Sequence, residues 1–222
     1  IIMLSMPAMG TTGPHRNYRA AGSQINAGSG ISGISGFPER APVGTGSLYP
    51  DFASNPYHAA FAVLSALRYR NRTGKGQFID LAQYESTMCL LGTAVLEYTM
   101  LGQVPARPGN RSAAAAPHGV YRCSGDDRWC ALAVTTESEW QGLRRAMGDP
   151  EWALDVRFQT LAGRKEHEDE LDRYVERWTV RYPPQEVMAR LQRNGVPAGV
   201  VQDSRDLLEN DSAFRDRHVR FL

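Results

Sequence analysis

Asp51 sits in the stretch GTGSLYPDFASNPYHAAFAVLSALRYR, residues 44–70, where a glycine-punctuated loop runs into an apolar helical pattern. A carboxylate at such a junction has two physical readings. As a helix N-cap it accepts bonds from the free N–H groups of the first turn. Held ionised by the helix dipole in a closed site, it can instead attack an electrophilic carbon as a nucleophile. Asn55-Pro56 is the better start signal, since Asn caps and Pro suits the first helical position. If Asp51 were the cap, Pro56 would fall just past the first turn, where its missing N–H removes a backbone bond. Asp51 is therefore expected before the regular helix or on a distorted first turn, and both roles stay open.

The other candidates for chemistry carry less. GSGISGISGF, 28–37, is neither a GxGxxG that opens a helix after a strand nor a Walker loop with its lysine, so turns and close backbone packing explain its glycines. His15, His58, His118, His167 and His218 form no HxH or HExxH pair, and Cys89, Cys123 and Cys130 lack metal-ligand spacing, so no metal site is expected. Ser5 is not in a GxSxG elbow. Glu85 reads as a residue at the start of a helix, and Met88, Leu91, Val95 and Tyr98 read as core.

The elements that must position Asp51 follow from the pattern. Residues 1–6 read as a strand, and 7–50 as a long loop rich in Gly, Ser, Thr and Pro, of the kind that often carries function. Tyr57, Ala60, Phe61, Leu64 and Leu67 fall at helical spacing, and Gly74 closes that helix. QFIDLAQ is a strand pattern, and 84–101 a second, strongly apolar helix. GQVPARPGNRS is a linker by its Gly and Pro content. Beyond it, HGVYRC and WCALAV flank a Ser-Gly-Asp-Asp turn as a hairpin. Helices are expected at 137–147, 164–180 and 184–194, a strand in VPAGVVQ, and a short helix in SRDLLEN capped by Ser204. Two units result, 1–101 and 112–222, joined by a linker at 102–111.

Composition limits the function classes. A net charge of +1 without a dense Lys/Arg block is a poor basis for nucleic-acid binding. No run approaches the ~18 apolar residues of a membrane span. Three cysteines in 222 residues suit a reduced, cytoplasmic protein better than a disulfide scaffold. The apolar opening IIMLSM reads as a strand entered midway, and DRHVRFL stops as an apolar segment begins, so a fragment of a longer protein is expected.

Four segments together resemble the class III CoA-transferase (CaiB/BaiF) family: MPAMGTTGP; SGFPERAPVGTGSLYPDFASNPYHAAFAVLSALRYRNRTGKGQFIDLAQYES; GNRSAAAAPHGVYRC; and LQRNGVPAGVV. Their order and spacing match, and they cover nearly the whole chain. The resemblance implies an α/β fold: part of a Rossmann-like large domain followed by a small α/β domain, in chains that interlock as a homodimer. It implies that the CoA-binding opening of the large domain and its C-terminal return are absent here. It puts the family's nucleophile on Asp51, which forms an acyl-aspartyl anhydride and then an aspartyl-CoA thioester. Acyl-CoA and a carboxylic acid acceptor are the implied substrates, with no permanently bound cofactor. A closing loop must keep water from the anhydride. The stretch that matches the family's glycine-rich loop is SAAAAPHG, 112–119, where Ala114, Ala115 and Ala116 keep the loop small but narrow its φ freedom. The position after GQFIDLA points to Gln83 as a residue near CoA.

Two alternatives accompany this reading. α-Methylacyl-CoA racemases share the scaffold and use a histidine in a motif resembling GHDIN; here the letters are Gly22-Ser23-Gln24-Ile25-Asn26, and serine is no base near neutral pH. The chain as it stands could also be a non-catalytic piece that lacks most CoA contacts.

Overall fold

The structure, a computed structural model, describes residues 1–46 and 49–214; Ser47, Leu48 and residues 215–222, with His218 and the DRHVRFL end, lie outside that description. The chain folds as two units, Ile1–Gly109 and Asn110–Leu222.

The first unit pairs β1 (Ile2–Ser5) in parallel with β2 (Gln77–Asp80), Ile2 opposite Gln77 and Ser5 opposite Asp80. Between them lie α1 (Gly22–Ser29), a π-helical turn (Pro50–Ser54) and α2 (Asn55–Thr73). After β2 come α3 (Gln83–Met88), a 3₁₀ turn (Cys89–Leu91) and α4 (Gly92–Leu101). The segment expected as a structureless loop thus contains a helix. No Ser or Thr caps α1; the Ala21 N–H donates to Gln24 Oε1 at 3.1 Å, and Gly30 in the left-handed region (φ 93°) closes the helix. The helix expected over 84–101 is broken ahead of Gly92, a poor helix former.

α2 ends as its sequence signals. Gly74 takes φ 73° and donates to Arg70 O at 2.8 Å, with Arg70 and Arg72 in the last turn. Its apolar stripe, however, faces out: Tyr57 is 72% exposed and Phe61 75%. Val95 and Tyr98 of α4, expected in a core, are exposed as well, while Met88 and Leu91 are half-buried. Parallel sheets ordinarily have both faces covered. Here the sheet has two strands among the described residues, and Met3 and Phe78 on it are also exposed.

The second unit carries its own core. β3 (His118–Arg122), β4 (Trp129–Ala133) and β5 (Ala198–Val200) form an antiparallel sheet in that order. The helices are α5 (Glu137–Met147), α6 (Leu161–Glu166), α7 (Glu168–Thr179) and α8 (Pro184–Arg193). Trp140, Leu143, Phe158, Leu171, Val175, Val187 and Leu191 are buried together against Cys130 of β4 and Val134 just past its end. α5 opens with a capping box: the Glu139 N–H donates to Thr136 Oγ1, and Glu139 Oε2 accepts the Thr136 N–H. Gly142 lets α5 approach closely, since a Cβ there would lie 2.3 Å from Asn194 O. The single helix expected over 164–180 is two, divided at His167. In SRDLLEN the cap is Asp203 rather than Ser204, because Asp203 Oδ1 accepts the Asp206 N–H at 2.8 Å; the segment ends in a π-helical turn, Asp206–Asn210.

Four carboxylates of this unit titrate below their ordinary range because an arginine hydrogen-bonds each one. Arg164 acts on Glu137, Arg157 on Asp155 and Glu170, and Arg111 on Asp169. A depressed native value contributes stability that is fully present above the unfolded value and is lost as pH falls through the native one. The unfolded values are 3.8 for Asp and 4.5 for Glu. The unit is therefore expected to keep its Tm from neutral pH down to about 4.5 and to lose it progressively below. Calorimetry across that range checks this; a Tm that rises between about pH 5 and about pH 3 contradicts it.

Candidate active site

Asp51 lies on the π-helical turn that leads into α2 and is half-buried. The turn has a local cause. Pro56 has no N–H, so the carbonyl of Phe52 four residues back cannot receive an α-helical bond. The chain takes the wider form instead, and the Asn55 N–H donates to Pro50 O, five residues back. The distorted first turn anticipated for Asp51 is thus present. Asn55 is not the cap it was expected to be: it is helical, 1% exposed, and its side chain turns inward.

That side chain belongs to a buried frame beneath the turn. Asn55 Nδ2 donates to Gln83 Oε1 at 2.9 Å, and Asn55 Oδ1 accepts a short bond from Ser86 Oγ. Ser54 Oγ donates to Ser86 O at 3.0 Å. Gln83 Nε2 donates to Met6 O at 2.8 Å, just past β1. Asn26 of α1 donates to Gly46 O at 2.6 Å and so fixes the chain ahead of the turn. Asn55, Gln83 and Ser86 leave no buried side-chain polar atom unpaired, and satisfied buried networks of this kind rigidify what they hold; Asn26 Oδ1 has no partner among the described residues. Asp51 is different. Among the described residues, no hydrogen bond or ion pair engages its carboxylate. A fixed turn thus presents an unengaged carboxylate.

Gln83, expected near CoA, has both ends of its amide in this frame. Sequence reasoning passed over Asn26, Ser54, Asn55 and Ser86 as parts of the site. Their signal was available: small polar residues on the buried side of elements that flank the aspartate. A cleft of about 370 Å³ in the same unit is lined by Thr12, His15, Tyr18, Gly28, Tyr84 and Glu85. The His15 and Tyr18 rings lie 4.5 Å apart. Ser23, where a racemase would need its histidine, is on the first turn of α1 and donates to Gln24 Oε1 at 3.1 Å.

The alanine segment belongs to the second unit. Ala114 is exposed, whereas Ala115 and Ala116 are 1% and 0% exposed. The Ala116 N–H donates to Val134 O at 3.1 Å, and its carbonyl accepts from Arg164 Nε at 2.8 Å. Of the three alanines expected in the active-site loop, two are thus buried. Among the described residues, no group of three His, Cys, Asp or Glu side chains could hold a metal ion, and no helix is long and apolar enough to cross a membrane.

Comparison with known proteins identifies the family. The family model for CoA-transferase family III matches residues 1–220. Succinyl-CoA–D-citramalate CoA-transferase of Chloroflexus aurantiacus is 34% identical over 210 residues, which is 95% of this chain and 52% of that protein. Acetyl-CoA:oxalate CoA-transferase of Acetobacter aceti is 30% identical over 203 residues, 91% of this chain and 52% of the relative. A CaiB/BaiF family protein of Brucella suis superposes with a TM-score of 0.90 at 29% identity, covering 98% of this chain and 57% of that one. The chain thus spans about half the length of the curated relatives it matches. Its mixed α/β fold is that of the Brucella suis structure. The chain belongs to CoA-transferase family III.

Proposed function

We propose that this sequence belongs to an enzyme that moves CoA from an acyl-CoA to a free carboxylic acid, with Asp51 as the covalent nucleophile. The observation that carries the reading is the Asp51 carboxylate, unengaged among the described residues, on a rigidly framed turn in a chain matched by the family model along almost its whole length. The relatives' names each pair an acyl-CoA with a carboxylic acid, which supports the same substrate classes here.

The steps balance without an outside reagent. An Asp51 carboxylate oxygen attacks the thioester carbonyl carbon; the C–S bond breaks, and CoA thiolate leaves with the electron pair. The product is an acyl-aspartyl anhydride. The thiolate then attacks Asp51 Cγ, the anhydride C–O bond breaks, and the donor leaves as a carboxylate. The acceptor carboxylate attacks the resulting aspartyl-CoA thioester and releases the thiolate once more. Attack of that thiolate on the acceptor's acyl carbon gives the new acyl-CoA and restores Asp51. Each step exchanges one leaving group for another of similar activation, which is what covalent catalysis gains.

Both intermediates hydrolyse in water, so the site must exclude it during turnover. The 112–116 segment is the proposed shield, and Gln83 acts through the frame under Asp51 and near CoA. CoA enters as substrate, and no resident cofactor is needed. The enzyme is read as an interlocked homodimer of full-length chains in the cytoplasm, with the two units of this chain in a large and a small domain. Serine at position 23 disfavours racemase chemistry.

Trapping tests the reading. Protein of the relatives' full length is incubated with acyl-CoA alone, digested and examined by mass spectrometry. The expected result is a hydroxylamine-sensitive CoA adduct on the Asp51 peptide; an adduct on another residue sinks the assignment.

A further inference from the structure

Three basic side chains hold the segment that leads into β3. Arg164 Nε donates to Ala116 O at 2.8 Å, at the foot of the segment. Lys165 Nζ donates to Ser112 O at 2.8 Å and to Glu168 Oε2 at 2.6 Å. Arg111 reaches the acidic first turns of α7, with Asp169 Oδ1 at 2.5 Å, Asp172 Oδ2 at 2.8 Å and Glu168 Oε2 at 3.7 Å. Asp172 is itself fixed by the hydroxyl of buried Tyr121, at 2.7 Å. Asn110 O and His118 Nδ1 close the base of the segment at 2.5 Å. Ser112 and Ala115 meet in a single antiparallel bridge, and the Ala114 N–H donates to Ser112 Oγ at 3.2 Å. Ala113 and Ala114 form the exposed tip between these anchors.

The anchors are unequal. Arg164 is wholly buried and holds two core residues, so its bond cannot open without opening the core. Arg111 is partly exposed, and its carboxylate partners range from buried to open. Lys165 alone joins a backbone carbonyl of the segment directly to a side chain of α7. It does so through Glu168, which is 5% exposed and whose Oε1 has no partner among the described residues. A buried carboxylate with a spare acceptor keeps its cation close.

We infer that Lys165 is a positioning residue: held by Glu168, it latches Ser112 and confines the movable part of the segment to Ala113 and Ala114. This rests on the proposed reading of 112–116 as the loop that keeps water from the reaction intermediates. A latched segment can move only its two-residue tip, which suits a shield that must open for substrate and exclude water afterwards. Lys165 touches no reacting atom in this scheme; it sets where the shield sits.

The test pairs two readouts. Lys165→Met leaves the buried Glu168 charge with Arg111 at 3.7 Å in place of its close cation, so Lys165→Met/Glu168→Gln is made beside it, and Lys165→Arg serves as the conservative rescue. In hydrogen exchange on the 222-residue chain, the Ala114 and Ala115 amides are expected to exchange about tenfold faster in the double variant, equivalent to the loss of one ordinary hydrogen bond. The β3 and β4 amides should keep the parent rate, and Lys165→Arg should restore the tip. In protein of the relatives' full length, the double variant is expected to hydrolyse acyl-CoA about tenfold more per transfer event. KM for acyl-CoA should stay unchanged. Unchanged exchange at the tip overturns the proposal. So does an unchanged hydrolysis-to-transfer ratio in a variant that still forms the Asp51 adduct. Failure of the nucleophile reading is separate, since it would appear as a missing adduct in the parent protein.

Discussion

Asp51→Asn in protein of the relatives' full length is expected to lower CoA transfer by about 10⁴-fold or more, the scale seen when a covalent nucleophile is removed. The substitution keeps shape and size, but a carboxamide oxygen is too weak a nucleophile to open a thioester. No partner of Asp51 is lost among the described residues, so the fold should hardly register the change. The Tm should move by no more than about 2 °C, the consequence of a change within about 0.5 kcal/mol. This combination of a large kinetic effect with a negligible thermal one separates a nucleophile from a structural cap. A cap would give the reverse pattern, since loss of an N-cap costs about 1 kcal/mol and leaves chemistry to other groups. Asp51→Ala should match Asp51→Asn, which removes any contribution from slow deamidation back to aspartate. Transfer within about tenfold of the parent in both variants would exclude Asp51 as the nucleophile.

The largest thermal effect should come from Arg164→Met. Arg164 is fully buried, donates to Ala116 O and Phe158 O at 2.8 and 3.0 Å, and meets Glu137 with two nitrogens at 2.9 and 3.0 Å. Its guanidinium also lies over the Trp140 ring, 5.1 Å from the centroid. Methionine replaces the stem but supplies none of the donors. Glu137 can return to water, because its side chain is 53% exposed. Ala116 cannot, so its carbonyl is left buried and unpaired. Leaving the buried Ala116 and Phe158 carbonyls without their charged donor costs about 1.5–3 kcal/mol each. For a unit of this size each kilocalorie lowers Tm by about 4 °C or more, so a fall of at least about 12 °C is expected. A calorimetric shift below about 3 °C would mean that Arg164 is not a keystone of this unit.

Legibility from sequence differed between the units for a physical reason. The second unit buries its own apolar face, so periodicity, caps and turn residues there meant what they ordinarily mean. Glu137–Met147 was legible residue for residue as a helix. His167 was missed as a helix break because no Gly or Pro marks it. In the first unit the apolar residues at helical spacing were read correctly as helix and wrongly, at Val95 and Tyr98, as core. Periodicity reports which face is apolar; it does not report whether anything covers it. α1 escaped because its buried residues, Gly22, Ile25, Asn26 and Ser29, make a small and mostly polar stripe. Around Asp51 the proline at 56 foretold the distorted turn. The inward side chain of Asn55 was not legible, since a capping Asn and a buried Asn are the same letter.

The outward stripe of α2, with the exposed residues of α4 and the two-stranded sheet, also bears on how this polypeptide would behave in a test tube. Tyr57, Phe61, Leu64, Met100 and Leu101 are each at least 65% exposed. A surface of that kind binds hydrophobic dyes, sticks to chaperones and promotes clumping at high concentration. The second unit exposes Leu154 and Val156 but has its buried cluster of Trp140, Phe158, Leu171 and Leu191 to itself. Limited digestion should therefore nibble the chain from the Asp51 side inward, with the arginine-stapled half as the last piece to survive.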